Sequence, residues 1–304
     1  MPGDRRLLLG VVVLALGASG AVQGPADGRL LAGRAVRPTV AIKAWNAAGS
    51  IRFVGWSKDS VVVRGEVGRN VRFLLSQDGD AMKLIAEQER DGSGASPSAS
   101  HLVAWVPRQS ALSVKTVSAD ITADGVGGWF YSVSGNLRVT GSARSIEAET
   151  MTGNLDLDVA CLWVRARAGS GRLDLRGATE AADLSTISGD LRVATSSLLR
   201  AQIASVTGDI RFAATPTAAA IVDVSDHSGS VEVVLPDNAS AELALTSIAG
   251  SIENGVTGSS AMAPPSRSLN LRLGRGESRF IVRTFTGPIR LKMQPTNAGW
   301  PELR

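Results

Sequence analysis

Hydrophobic and polar residues alternate in a short unit that the chain repeats many times. In the unit around Gly153, Ile146 and Ala148 lie seven and five residues before the glycine, and Leu155 and Leu157 lie two and four after it. Apolar residues with a period of two predict a strand with one buried face. Each unit therefore predicts two strands that meet at a glycine, where the missing side chain lets the backbone turn.

The unit recurs at a nearly constant interval. Gly135, Gly153, Gly171 and Gly189 follow one another at 18 residues, and the next intervals are 19, 21 and 21 residues. The repeat glycines are Gly49, Gly135, Gly153, Gly171, Gly189, Gly208, Gly229, Gly250 and Gly287, and Ala119 stands for glycine in one further copy. A short fixed period is typical of a solenoid.

One unit cannot fold alone, because five or six buried aliphatic side chains contribute about 2 kcal/mol each. Ordering its backbone costs about 1–2 kcal/mol for every residue. Stacking on neighbouring units must supply the difference. The predicted fold class is all-β, a single-stranded parallel β-helix or related β-solenoid. Its rungs have about 18 to 21 residues, and irregular capping strands cover both ends.

Outward-facing residues support this stacking. Rungs of a parallel stack lie about 4.8 Å apart, and opposite charges in adjacent rungs stabilise such a stack. Glu147, Arg165 and Asp183 occupy the same position in three successive units, and the charge alternates along them. Asp156 with Asp174, and Arg192 with Arg211, break the alternation as like-charged neighbours.

The chain divides into a leader, a solenoid and a tail. Residues 1–21 resemble a signal peptide, with Arg5 and Arg6 before an apolar run that is too short for a membrane span of about 20 residues; an uncleaved anchor is the alternative. Residues 22–38 are predicted to be flexible and 294–304 to form a tail. We predict the solenoid over 39–293, with irregular strands at 39–110, regular rungs at 111–253, and a loop with C-terminal strands at 254–293.

The irregular regions carry their own predictions. Residues 59–87 have the pattern of strands joined by hairpin turns, and 91–100 and 254–267 have the composition of loops. Residues 269–283 predict a hairpin or an enlarged rung. The unpaired strands at the two ends of the solenoid could also pair with another copy of the chain.

Composition excludes several classes of function. The net charge of +4 comes from 32 basic and 28 acidic residues that alternate without a basic run, so we expect no nucleic-acid partner. Cys161 is the single cysteine, which rules out an internal disulfide. His101 has no companion ligands, so we expect no metal site and no cofactor.

Two carboxylate pairs are the candidate catalytic residues. Asp156 with Asp174, and Asp190 with Asp209, would lie about 4.8 Å apart, close to the spacing of about 5 Å in retaining glycosidases. Arg138 beside Asp156 and Arg192 beside Asp174 favour charged carboxylates, whereas a general acid must be protonated. We therefore expect a surface charge ladder and no enzyme activity.

A second catalytic pattern, Asp226-His227-Ser228, contains the residue types of a hydrolase triad. Adjacent residues of a strand point to opposite faces, so these three side chains cannot converge. We expect a solvated turn there.

Exposed aromatic residues are the candidate binding site. Counted from Gly135, Phe130 points inward and Trp129 and Tyr131 point outward, next to Glu147 and Glu149 of the following rung. Aromatic rings beside carboxylates could stack on a sugar or hold a protein partner. The alternative is that residues 59–100 cover the two rings and make them part of a small core.

Several segments resemble one bacterial family. The run of [ST]-G-x-[LIV] phrases, "VAWVPRQSALSVKTVSADI" at 103–121 and "RFIVRTFTGPIRL" at the end are similar to the bacterial putative adhesin family over residues 38–293. The resemblance implies a β-solenoid in an exported or envelope-associated protein. Our main hypothesis is a non-enzymatic binding or adhesion protein of the periplasm or cell surface, with a glycan or protein ligand.

Two other functions stay open at this point. One is a periplasmic scaffold or regulator of an envelope stress response, which some members of that family suggest. The other is a carbohydrate-active β-helix enzyme that uses the carboxylate pairs.

Overall fold

The computed structural model describes residues 28–89, 98–256 and 266–295, and all its regular elements are β-strands. The first twelve strands are β1 (Arg29–Ala35), β2 (Ala41–Asn46), β3 (Gly49–Trp56), β4 (Ser60–Glu66), β5 (Val71–Asp78), β6 (Ala81–Gln88), β7 (Ser100–Pro107), β8 (Ala111–Thr116), β9 (Asp120–Asp124), β10 (Gly128–Ser132), β11 (Leu137–Ser142) and β12 (Ser145–Thr150). The remaining strands are β13 (Leu155–Ala168), β14 (Leu173–Thr186), β15 (Leu191–Ser205), β16 (Ile210–Asp226), β17 (Val231–Pro236), β18 (Ala241–Ser247), β19 (Ile252–Asn254), β20 (Ser268–Leu273), β21 (Ser278–Thr284) and β22 (Ile289–Gln294).

The strands form a solenoid with two faces. The front face holds the strands before each corner glycine, in the spatial order β5–β6–β2–β8–β10–β12–β13–β14–β15–β16–β21–β18–β20. The back face holds the strands after it, in the order β1–β4–β7–β3–β9–β11–β13–β14–β15–β16–β17–β22–β19. Strands β13 to β16 appear in both orders because each starts on the back face and ends on the front face of the next rung. The all-β solenoid fold and its rungs are confirmed.

The core lies between the two faces and is built from the residues that the alternation marks as inward. Leu155, Leu157, Ile146 and Ala148 are all buried, with at most 1% of their surface exposed. Phe212 and Phe280 meet edge to face in the core, with ring centroids 6.2 Å apart. Burial of the aliphatic or aromatic side chain at every second strand position stabilises each rung against its neighbours.

The corner glycines are required by contact between rungs. A Cβ built on Gly171 would collide with the carbonyl oxygen of Gly153, and one on Gly189 with that of Gly171. Among the repeat glycines only Gly49 has a positive φ, of 100°. The glycine is therefore needed chiefly because stacked backbones approach closely, and less because of the turn itself.

A polar residue lies three positions before every corner glycine except Gly171, where Ala168 takes that place. The hydroxyls of Ser132, Thr150, Ser205 and Ser247 each accept a hydrogen bond from the glycine amide of the same rung, at 2.8–3.0 Å. These side chains are buried. They satisfy amides that the turn would otherwise leave unpaired inside the protein.

The spatial order of the rungs departs from chain order at both ends. Near the C-terminus, β21 and β22 insert between the rung of β16 and β17 and the rung of β18 and β19. Near the N-terminus, β2 and β3 insert between β6 with β7 and β8 with β9. Antiparallel strands β1, β4, β5 and β20 then cap the stack, which confirms the irregular capping strands.

Some local predictions differ from the structure. Residues 29–35, expected to be flexible, form β1 and pair with β4. Of the hairpin or enlarged rung expected at 269–283, the hairpin is wrong, because β20 and β21 lie on opposite edges of β18. The hairpin of β5 and β6 is confirmed.

The predicted signal peptide at 1–21 lies outside the described residues, as do most of the two loops and most of the tail. Within the described ranges, no helix is long and apolar enough to cross a membrane.

Candidate functional site

Trp129 and Tyr131 lie side by side on the outer surface of the front face. Both belong to β10 and are partly exposed, while Phe130 between them is fully buried. Their ring centroids are 6.0 Å apart and their ring planes differ by 15°. The strand's alternation therefore presents two nearly parallel aromatic rings to the same side of the molecule.

The strands on either side supply charged neighbours to these rings. In β8, Ser113 lies opposite Trp129 and Lys115 opposite Tyr131; in β12, Glu147 and Glu149 occupy the same two positions. The Lys115 ammonium lies 5.0 Å from the centroid of the Trp129 ring, a cation–π contact. One edge of the aromatic pair is thus basic and the other acidic.

The two glutamates are balanced by the next rung. Arg165 and Arg167 lie 3.6 Å from the carboxylates of Glu147 and Glu149, and Arg165 also contacts Asp183 at 3.1 Å. The alternating charges predicted along these positions are therefore present. Because the pairs stay partly exposed, they add little stability, but the carboxylate oxygens can still accept hydrogen bonds from a ligand.

The described part of the segment 59–89 does not lie over the aromatic pair. It forms β4, β5 and β6, and β6 is separated from β10 by β2 and β8 on the front face. Residues 90–97 of the same segment lie outside the described ranges. Trp163, which also points outward, lies two strands from β10, as the sequence predicts.

The carboxylate pair Asp156 and Asp174 lies in register on the back face. Asp156 contacts Arg138 and Arg176 at 3.5 Å, and Asp174 contacts Arg172 at 3.0 Å. The Asp174 side chain is only 3% exposed, beneath these guanidinium groups. Sequence reasoning paired Asp174 with Arg192 of the next rung and missed Arg172 and Arg176, which lie two residues from it on the same rung.

The carboxylates of Asp190 and Asp209 bind backbone amides of the following rungs. The Asp190 carboxylate accepts a hydrogen bond from the Asp209 amide at 3.3 Å, and that of Asp209 accepts one from the Ser230 amide at 2.8 Å. Both acids therefore have a structural role in the turn. Among the described residues, no group of three or more His, Cys, Asp or Glu side chains could hold a metal ion.

The expected solvated turn at Asp226-His227-Ser228 is wrong for its first residue. Asp226 ends β16 with its side chain inward and is 6% exposed, whereas His227 and Ser228 are exposed. Burial raises the pKa of Asp226 to about 6, although the Ser205 hydroxyl and the Gly229 amide favour its charged form. The three side chains do not form a triad, since Asp226 faces the core.

Residues 58–267 match the Toastrack DUF4097 family. The chain belongs to this family. The match covers more than half of the sequence and agrees with the resemblance that the repeat phrases indicate. No curated protein of known function matches the Toastrack chain.

Three solved structures are similar to the Toastrack chain at low sequence identity. A putative lipid binding protein from Parabacteroides distasonis ATCC 8503 has 14% identity and a TM-score of 0.50, covering 87% of this chain and 98% of its own. A putative adhesin from Bacteroides fragilis NCTC 9343 has 14% identity and a TM-score of 0.47, covering 86% and 97%. A putative adhesin from Parabacteroides merdae ATCC 43184 has 12% identity and a TM-score of 0.40, covering 68% and 98%.

The Toastrack fold also exposes a surface that sequence reasoning missed, which we call the corner row. It consists of the residue two positions before each corner glycine, and in spatial order it contains Ala47, Val117, Val133, Met151, Gly169, Ile187, Val206, His227, Phe285 and Ile248. Each member before Ile248 accepts a hydrogen bond on its carbonyl from an amide of the next rung, so the row is continuous. The signal was present in the sequence as the apolar residue before nearly every Ser-Gly or Thr-Gly pair.

Most side chains of the corner row are apolar and exposed. Their exposed fractions run from 39% for Val133 to 62% for Ile187. The hydroxyl residues that follow them bond back to the row's carbonyls, as Thr152 does to Val133 at 3.5 Å and Thr207 to Ile187 at 3.2 Å. The hydroxyls thus stabilise the corner, whereas the apolar side chains beside them keep about two fifths or more of their surface exposed.

The corner row ends in a shallow cleft of about 330 Å³. His227 and Phe285 form part of its wall and stack with ring centroids 4.9 Å apart. Ile248 and Arg283 line it as well, and the Arg283 guanidinium is held by Asp223 at 2.8 Å. The cleft is therefore part of the same apolar surface, with one ion pair at its edge.

Proposed function

We propose that this Toastrack protein is an exported, non-enzymatic binding protein of the bacterial cell envelope, acting in the periplasm or at the cell surface. The observation that carries the proposal is the parallel pair Trp129 and Tyr131 on the outer surface. Large aromatic residues are usually buried in proteins, and exposed ones concentrate where a ligand or partner is bound. The pattern of residues 1–21 supports export.

A glycan is the ligand class that suits this surface best. Aromatic rings stack on the apolar faces of sugar rings, and carboxylates accept hydrogen bonds from sugar hydroxyls. Glu147 and Glu149 are already balanced by arginines, so a neutral ligand does not leave uncompensated charge. A protein ligand is the alternative that the experiment must separate.

Carbohydrate cleavage is less consistent with the geometry. The acids of the Asp156–Asp174 pair are held by three arginines, and Asp190 and Asp209 bond to backbone amides. A general acid needs surroundings that favour its protonated form. We therefore assign these acids to the charge ladder and the turns.

The proposal is tested by co-sedimentation of the protein, from Val22 onward, with peptidoglycan, outer-membrane vesicles and whole cells. We expect saturable binding to a glycan-containing fraction that survives protease treatment of the fraction and disappears after digestion of its glycan. Binding that protease treatment abolishes would instead indicate a protein ligand. If no fraction binds the protein, the envelope-binding proposal is wrong.

A further inference from the structure

We propose that the corner row is a self-association surface, through which two copies of the chain form an antiparallel dimer. This inference does not rest on the Trp129–Tyr131 site, although Tyr131 lies two residues before Val133 of the row. Contiguous exposed apolar patches mark interaction sites on soluble proteins. Seven of the ten positions of the corner row are large apolar residues with 39–62% of their surface exposed.

The sizes of the side chains favour a second copy as the occupant. The side chains in the half of the row that begins at Ala47 are small on average, and those in the half that ends at Ile248 are larger. A two-fold axis between Gly169 and Ile187, the fifth and sixth positions, places every position opposite one from the other half. The five pairs are Gly169 with Ile187, Met151 with Val206, Val133 with His227, Val117 with Phe285, and Ala47 with Ile248.

A parallel arrangement fits less well. It would place Gly169 opposite Gly169 and Phe285 opposite Phe285, which leaves a gap at one rung and crowds another. Packed interfaces resemble protein interiors in density, so gaps and clashes both weaken them. Large side chains opposite small ones avoid both problems, and a two-fold interface is by nature self-complementary.

Charges next to the row favour the same axis. One residue after the corner glycines, Arg172 and Asp190 flank the fifth and sixth positions and lie on adjacent rungs. The two-fold axis of the antiparallel dimer brings Arg172 of each copy towards Asp190 of the other. The result is a cluster of four charges of alternating sign. Among residues placed directly opposite each other, the nearest like-charged pair is Lys115 with Arg283, two positions further from the corner on the front face.

The dimensions suit a modest interface. Ten rungs at a spacing of about 4.8 Å give a row about 43 Å long. A standard interface of about 800 Å² per partner then needs a strip about 20 Å wide, which is about six residues of strand. The corner row reaches that width with the residues on either side of the turn, so we expect a reversible dimer.

The first test is sedimentation equilibrium of the purified protein over a range of concentrations. We expect a mass that approaches twice that of the chain, and at least a tenfold weaker dimer for Ile187→Asp. Leu162→Asp is the matched control, because Leu162 is 53% exposed at the opposite corner and its change should leave the dimer intact. A monomer at every concentration, or equal effects of the two variants, would overturn the proposal.

The second test reports the orientation of the two copies. In a Cys161→Ala background, the combined variant Val117→Cys and Phe285→Cys should form disulfides between copies on mild oxidation, while each single variant should not. Val117 and Phe285 lie seven rungs apart within one chain, about 34 Å, so no bond within a chain can form. Cross-linking of the Val117→Cys variant alone would contradict the antiparallel arrangement.

A membrane surface is the rival occupant, and the same variants separate it. Asp120, Asp190 and Asp209 lie beside the corner row and disfavour contact with an anionic bilayer. We expect no flotation of the protein with vesicles of neutral or anionic phospholipid. Flotation that Ile187→Asp abolishes would show that the row inserts in lipid and would overturn the dimer proposal.

Discussion

At the scale of single residues, each corner glycine makes room for the backbone of the neighbouring rung. We predict that Gly171→Ala destabilises the protein by about 2 kcal/mol or more, since its Cβ would collide with the Gly153 carbonyl, a backbone group that cannot move alone. Urea unfolding measures the change. Gly33→Ala is the control, because its Cβ would meet only ordinary contacts at 3.7 and 3.8 Å, and an equal loss in both variants would contradict the steric account.

Asp226 gives the protein a specific pH dependence. Burial raises the pKa of its carboxyl from an ordinary value of 3.8 to about 6 in the folded chain. The folded state therefore holds the proton more tightly than the unfolded chain, so this group makes folding progressively less favourable as the pH rises from 3.8 to about 6. We expect the contribution of Asp226 to stability to be larger at pH 4 than at pH 7 by on the order of 2 kcal/mol.

Replacing Asp226 tests this linkage. Asp226→Thr introduces the hydroxyl that most other rungs carry at this position, so the melting temperature at pH 8 should rise. The part of the pH dependence between pH 4 and 7 that comes from Asp226 should disappear. Differential scanning calorimetry across this pH range measures both effects. Asp158→Asn, at an exposed position, should change neither, and a variant at Asp226 that melts like the wild type at pH 8 would contradict the prediction.

At the scale of strands, alternation predicts orientation but not neighbours. The buried positions of β11 to β16 follow from the period of two, because a one-residue slip would expose every apolar side chain. The same pattern cannot say which rung lies next to which. The rung of Gly287 and the rung of Gly250 carry equivalent inward residues, such as Phe280 and Leu243, so either could pack on β16 by composition alone.

Engineered disulfides test the rung order directly. Ser225 of β16 lies in register with Arg283 of β21, which in turn lies in register with Thr246 of β18. We expect Ser225→Cys with Arg283→Cys to form a disulfide in a Cys161→Ala background. Ser225→Cys with Thr246→Cys should stay reduced, because these positions lie two strands apart, about 9.6 Å, beyond the reach of a disulfide. The reverse result would show that the rungs follow chain order.

At the scale of the whole molecule, the functional surface was only partly predictable. The outward direction of Trp129 and Tyr131 follows from their distance to Gly135, and their neighbours Glu147 and Glu149 follow from the constant repeat length. The contact of Lys115 with Trp129 depends on rotamers, which alternation does not specify. The exposure of the corner row was missed because its members belong to turns, where no period rule says which side chains face solvent.

Because the interior of the described stack is packed, its binding sites are expected on the outer surface. The interior is filled by apolar side chains of both faces, and the described cleft is shallow and lies on the exterior. Binding sites on such a scaffold consist of side chains at equal positions of successive rungs. The Trp129–Tyr131 surface and the corner row are two such sets. Ile187→Asp lies three rungs from Val133 and is predicted to weaken self-association without weakening ligand binding.

The measurement that tests the central claim most directly is the binding isotherm of a Trp129→Ala, Tyr131→Ala double variant for the envelope fraction that retains the wild-type protein. We predict that affinity falls at least tenfold, since each ring supplies apolar contact area to the ligand. Trp56→Ala, at a partly exposed tryptophan of β3 on the back face, is the matched control and should bind as the wild type does. Equal binding by the folded double variant would contradict the claim that this surface holds the ligand.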